Sequence, residues 1–213
     1  MPKYIIREAT VNDIDFIIEA IIEAEKSGSE ILSYSTVFNL SENELRKIFR
    51  LMLLEEIDGC EFSISSYLIA ENDNTIAGTI GAWVEHEISP SSIIKSNLLG
   101  YYLPKSSIIY AALRAKITSE LHIDHVIEAL SLEIVYIRTT HRGNHLFELL
   151  SDAHIKRNKG IKELAVQVMA NNDYAIRTYE RYGFKQSFVI KSDDEMIKQF
   201  LPFNEKILMK KTL

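Results

Sequence analysis

Cysteine is nearly missing from this chain of 213 residues, in which Cys60 stands alone. One thiol excludes an internal disulfide and cannot assemble a thiolate metal site, and it points to a cytoplasmic setting. No run of about 18 apolar residues occurs, so no membrane-spanning helix and no membrane partner are expected. The opening "MPKYIIREATVND" has no apolar stretch followed by a cleavage site, so no secretory signal is expected either. Basic charge is also short. The 24 Lys and Arg face 30 Asp and Glu, a net charge of −6, whereas nucleic-acid binding relies on a basic footprint. An acidic balance suits a cationic small molecule or peptide instead. No repeat and no low-complexity segment is found. His122 and His125 lie three apart, but a zinc site needs about three or four ligands and no further partner is apparent, so no metal is expected.

What is present is ordinary globular composition, 46% hydrophobic and 25% charged. The length suits a single domain, residues 1–213, with a variable insertion at about 87–130. Tyr4–Arg7 reads as a strand feeding a helix over Asp13–Glu25, whose Ile14, Ile17, Ile18, Ile21 and Ile22 recur at helical spacing. Ser41 and Glu44 form a capping-box signature before a second helix. Ser65–Ala70 and Thr75–Val84 read as a hairpin turning at "ENDN", with Gly78 and Gly81 marking a bulge, a close approach or a weakened edge. In the 87–130 stretch only Ser107–Ile117 reads as helix. Ser131–Arg138 ("SLEIVYIR") reads as a strand, followed by a helix from near Asn144 to about Lys159. Glu163–Met169 is then a strand, Asp173–Tyr182 a helix stopped by Gly183, and Phe184–Ile190 and Asn204–Lys211 are strands. Strands alternating with helices imply that part of the sheet is parallel.

The stretch "HRGNHLFELL", His141–Leu150, sits at a strand, turn, helix junction, a layout that suits an anion held on helix-terminal amides. It lacks the glycines such turns usually have. Plotted at helical spacing, Leu146, Leu149, Leu150 and Ala153 share one face with Phe147 at its edge, so Phe147 can turn into the core and leave its amide free, while His145 falls on the polar flank.

Residues Leu132–Phe184 resemble the GNAT N-acetyltransferase superfamily. "EIVYIRTTHRG" resembles the family's fourth strand and the start of its pyrophosphate loop. "VMANNDYAIRTYERYGF" resembles its later motif, fixing Asn172, Ala175, Tyr179, Gly183 and Phe184 together. The departure is in the loop, where His145 and Phe147 occupy positions that are small in the family.

The resemblance implies an α/β fold, a mixed, partly parallel central sheet flanked by helices on both faces. It also implies transfer of an acetyl group from acetyl-CoA to a primary amine of a small molecule or peptide, directly in a ternary complex. CoA would be held by Arg142, Gly143, Asn144, His145, Leu146 and Phe147, with Asn172 as a further contact and the backbone amide of Ile137 on the acetyl oxygen. Asn172 is equally a favoured N-cap for the helix starting at Asp173. Tyr179 would donate a proton to the departing sulfur; the alternative is packing, since Ala175, Tyr179 and Tyr182 share a face. An alkylammonium has a pKa near about 10.4, so a base is needed, and Glu133 is the candidate. Strand alternation sets it with Val135 and Ile137, opposite Leu132, Ile134 and Tyr136, where apolar neighbours would raise its pKa; a wet strand end is the alternative. A homodimer is allowed, and the competing reading is a GNAT-like module that binds acyl-CoA or a metabolite without turnover.

Overall fold

The computed structural model describes residues 3–213. Among the described residues, one seven-stranded sheet carries the fold. Its strands are β1 (Ile5–Glu8), β2 (Tyr67–Asn72), β3 (Thr75–Val84), β4 (Leu130–Ile137), β5 (Glu163–Met169), β6 (Lys185–Lys191) and β7 (Glu205–Thr212), in the order β1-β2-β3-β4-β5-β7-β6. Every neighbouring pair is antiparallel except β4 and β5. The helices are α1 (Ile14–Lys26), α2 (Ser33–Phe38), α3 (Glu42–Leu53), α4 (Ser91–Tyr102), α5 (Lys105–Thr118), α6 (Leu146–Arg157) and α7 (Asp173–Tyr182). A core built on α1 and α3 covers one face of the sheet, and a second built on α6 and α7 covers the other. This is the expected mixed, partly parallel sheet with helices on both faces. Among the described residues no helix is long and apolar enough to cross a membrane.

Local sequence explains the well-read elements. The isoleucine stripe of α1 is buried throughout, each side chain contributing roughly 1.5–3 kcal/mol against exposure. At the start of α3 the Ser41 hydroxyl accepts from the Glu44 amide at 3.3 Å and the Glu44 carboxylate accepts from the Ser41 amide at 2.8 Å, closing the capping box. The β2–β3 hairpin turns on Asp73 and Asn74, with φ of 48° and 61°, the left-handed pair that a two-residue turn requires.

Three readings need correction. The 87–130 stretch holds two helices, α4 and α5, rather than one; their apolar residues Ile93, Tyr101, Ile109 and Leu113 are exposed, so no buried stripe marks them. The short helix α2 gave no sequence signal. The third concerns β4, where Gly81 of β3 pairs with Ile134 but Ala82 pairs with Leu132, leaving Glu133 as the extra residue of a β-bulge. The alternation therefore breaks there. Leu132 shares the α6 face with Val135 and Ile137, while Ile134 and Tyr136 face α1.

Both glycines of β3 are tightly approached. A Cβ on Gly81 would lie 2.8 Å from the Tyr67 ring, and one on Gly78 would lie 2.8 Å from the Tyr136 carbonyl oxygen. The latter neighbour is backbone of a central strand and cannot step aside. Gly78→Val is therefore expected to destabilise the fold by about 1–3 kcal/mol, read as a lower urea midpoint; an unchanged midpoint would show that the β3–β4 ladder has slack here.

Candidate active site

The parallel pairing of β4 with β5 is brief. Leu130 meets Leu164 and Ser131 meets Ala165, and beyond them the strands diverge. The bulge at Glu133 begins where pairing stops. Between the splayed strands lies a cleft of about 850 Å³, walled by β4, β5, the 141–148 loop, α7 and the end of α1.

The edge of β4 facing this cleft carries free donors. The Arg138 amide donates to the Ala77 carbonyl at 2.9 Å, which makes that pair the hydrogen-bonded one. Its neighbour, Ile137 opposite Gly78, is then a non-hydrogen-bonded pair, so the Ile137 N–H points away from β3 and into the gap. A carbonyl oxygen brought to that edge would meet it directly.

The loop after β4 holds more donors. His145, at φ 56°, forms the N-cap of α6, and Gly143 has φ 81°. Among the described residues, no protein acceptor takes the amides of Gly143, Asn144, His145, Leu146, Phe147 or Glu148; the first bond is from Leu149 to the His145 carbonyl at 3.0 Å. A run of unpaired N–H groups at a helix N-terminus holds partial positive charge and binds anions. Of the loop's two bulky side chains, His145 and Phe147, only the second turns inward. Phe147 is buried, with its ring centroid 5.2 Å from Tyr179 and 5.4 Å from Tyr182. The buried stripe of α6 differs from the expected one: Leu149 is exposed, and Leu146, Phe147, Leu150, Ser151 and His154 face inward. The helix also starts two residues after Asn144, at Leu146, and ends at Arg157.

Side chains trim the loop. Arg142 donates from Nε to the Ile137 carbonyl at 3.2 Å and lies 4.9 Å over the Tyr174 ring. Asn144 ties to the His141 carbonyl at 3.1 Å. His145 is mostly exposed, with Nδ1 3.4 Å from Glu148. Arg142, His145 and Arg181 all line the cleft, with Glu148 in contact with the last two.

Across the cleft, the Asn172 side chain caps α7, accepting from the Ala175 amide at 3.2 Å, and its amide nitrogen reaches Ser27 Oγ at 3.4 Å. The capping role is thus real, and Asn172 also lines the cleft. Tyr179 packs, as one of its two readings has it, and also reaches the cleft. Its ring packs against Phe147 and Phe184, yet it also borders the cleft, and its hydroxyl finds no partner among the described residues. Burial, with the Glu133 charge adding to it, raises the phenol far above its ordinary value.

Glu133 lies in the cleft, but not among apolar neighbours only. His125 Nδ1 sits 3.2 Å from its carboxylate, an ion-pair contact lacking the direction of a full hydrogen bond. Burial opposes charge on His125, but Glu133 outweighs it and the imidazole stands above its usual value. Two further ionisable groups of the cleft, Glu25 and Lys206, gave no sequence signal, because nothing local marks an end-of-helix carboxylate or a strand lysine as inward-facing. Cys60 is buried away from the cleft, and burial pushes its thiol up to about 11. His122 pairs with Asp124 at 3.1 Å, and the described residues gather no group of three potential metal ligands.

The model of the acetyltransferase (GNAT) family matches residues 34–184. No curated protein matches the chain. Among solved structures, an N-acetyltransferase from Staphylococcus aureus Mu50 is similar at a TM-score of 0.64 and 16% identity, covering 97% of this chain and 100% of its own. A Drosophila melanogaster polyamine N-acetyltransferase gives 0.60 and 14%, covering 99% and 100%. A ribosomal-protein-alanine N-acetyltransferase from Brucella melitensis gives 0.54 and 14%, covering 98% and 99%. At these identities the likeness speaks for the fold. The family match spans most of the chain, on the segment that builds the cleft, and the chain belongs to the GNAT acetyltransferase family.

Proposed function

We propose that this protein transfers an acetyl group from acetyl-CoA to a primary amine of a small molecule or peptide, by direct attack in a ternary complex within a single domain whose 87–130 segment borders the acceptor side. The observation that carries this reading is the row of unaccepted amides from Gly143 to Glu148, continuous through one cleft with the inward N–H of Ile137. The loop amides, with Arg142, Asn144 and His145 beside them and Leu146 and Phe147 turned inward, fit the pyrophosphate of CoA. The missing glycines are no obstacle, because the contacts needed are backbone donors. Asn172 stands beside the same channel.

The residues divide the chemistry. The Ile137 amide donates to the thioester carbonyl oxygen, where negative charge grows as the amine attacks. Glu133 accepts the ammonium proton, directly or through one water, and its contact with His125 offers that proton a way out. Tyr179 hydrogen-bonds the departing sulfur, a bond that strengthens as thiolate character develops. The buried Cys60, with its raised thiol, makes a covalent acetyl-enzyme route unattractive. Relatives of the same fold are named for a polyamine and for a ribosomal-protein alanine, so small and protein-borne amines both fall within this reading.

Acetyl-CoA at about a hundredfold over Kd is expected to stabilise the fold by about 2.7 kcal/mol, seen as a raised melting temperature, and a panel of primary amines is expected to release free thiol. No shift with acetyl-CoA would overturn the CoA reading altogether. A shift without thiol release from any amine would make the protein an acyl-CoA-binding module.

A further inference from the structure

The acceptor end of the cleft holds two opposite charges that do not satisfy each other. Lys206, on β7 beside Met169, lines the cleft half-buried, and its ammonium makes no hydrogen bond or ion pair among the described residues. Glu25, at the end of α1, lines the same cleft and likewise makes no ion pair among them. Other charges nearby are matched. Lys95 lies 2.5 Å from Glu61, which also accepts from the Tyr34 hydroxyl at 2.7 Å, and Glu133 has His125.

An unpaired charge lining a cleft is free to pair with a ligand group of opposite charge. Burial holds the Lys206 ammonium below its ordinary value and the Glu25 carboxyl above its own, although Glu133 and Glu25 act on the ammonium and Lys95 and Lys206 on the carboxyl, so the counter-charges nearby do not make up for burial. A ligand with an ammonium at one end and an anion at the other would supply both. A plain diamine would satisfy the carboxylates and set a second cation against Lys206.

Resting on the transferase reading above, we propose that the acceptor is a zwitterion, an amine that also carries a carboxylate or phosphate, with its anion seated on Lys206 and its ammonium facing Glu25 and Glu133. Lys206 is then a specificity residue rather than a catalytic one. It discriminates acceptors by binding the anion equally in ground and transition states, so its loss should appear in KM.

The test compares matched acceptors: tyrosine with tyramine, ornithine with putrescine, and O-phosphoethanolamine with ethanolamine, each by thiol release from acetyl-CoA. At least one anionic member should exceed its partner in kcat/KM by roughly tenfold or more, the size of a charge-assisted contact. The carboxylate and phosphate pairs tell the two anions apart. Lys206→Met should erase most of that preference through KM, and Lys206→Arg should keep part of it, with melting curves checking that both fold. Should Lys206→Met fail to fold, retention of preference by Lys206→Arg and its loss in Lys206→Gln carry the same decision. Turnover with equal or greater preference for the anion-free amines would overturn the zwitterion reading alone, as would acetylation of Lys206 itself seen by mass spectrometry. No turnover of any amine, with acetyl-CoA still stabilising the fold, would remove the transferase reading and this one with it.

Discussion

Tyr179→Phe is expected to bind acetyl-CoA like the parent chain while its kcat falls roughly a hundredfold, the scale of losing a positioned proton donor. The substitution isolates the hydroxyl. The ring stays in place against Phe147 and Phe184, at 5.2 Å and 5.9 Å, so packing is preserved. The hydroxyl has no protein partner among the described residues, so no internal hydrogen bond is broken. Because burial lifts the phenol far above its ordinary value, it stays protonated throughout the working range and is always ready to donate. Any alkaline limb of the kcat profile therefore belongs to another group. Steady-state thiol release gives kcat, and thermal shift gives cofactor binding. A kcat within a factor of about two of the parent would reduce Tyr179 to a packing residue, since a differential interaction in the transition state must appear in kcat.

The Tyr179 assignment rests on signals that were local. Asn172 and Gly183 bracket α7 in the sequence as N-cap and left-handed C-cap, and the helix spans Asp173–Tyr182 as expected. The β5 strand, Glu163–Met169, also falls where its apolar run places it. Pro90 and Pro104 stand immediately before α4 and α5 and could have announced both, since proline favours helix starts. The bulge was not legible. It arises because Gly81 and Ala82 of β3 span three residues of β4, a consequence of pairing across about fifty residues of chain rather than of the "SLEIVYIR" pattern. With it went the surroundings of Glu133, since alternation cannot bring His125 to it. Likewise Phe147 faces inward as helical spacing allows, whereas Leu149 does not. The start of α6 is rotated so that His154 takes the buried position.

That histidine should make the fold acid-labile well above the range where carboxylates titrate. His154 is wholly buried on α6, and its Nε2 donates to the Ile80 carbonyl at 2.9 Å, which fixes the neutral tautomer. Its Nδ1 is buried without a partner, so a proton added there would find no acceptor. Burial pushes the imidazole down to about 4, whereas in the unfolded chain it returns to about 6.5. The sign follows from proton uptake. Above about pH 6.5 neither state binds the proton and His154 adds no pH dependence; between 6.5 and 4 only the unfolded state is protonated, and stability falls as the pH falls. The full loss is about 3 kcal/mol, reached near pH 4. Asp13, held below the usual carboxylate range by Arg7 in spite of burial, also loses its contribution in acid. The His154 share must therefore be read as a difference between proteins. His154→Gln removes the titration, and although it should be less stable than the parent at pH 7, its disadvantage should shrink or reverse by pH 4.5. Urea midpoints at the two pH values make the comparison. Parallel curves for the two proteins would mean that His154 carries no linked proton and that its buried, neutral state is wrong.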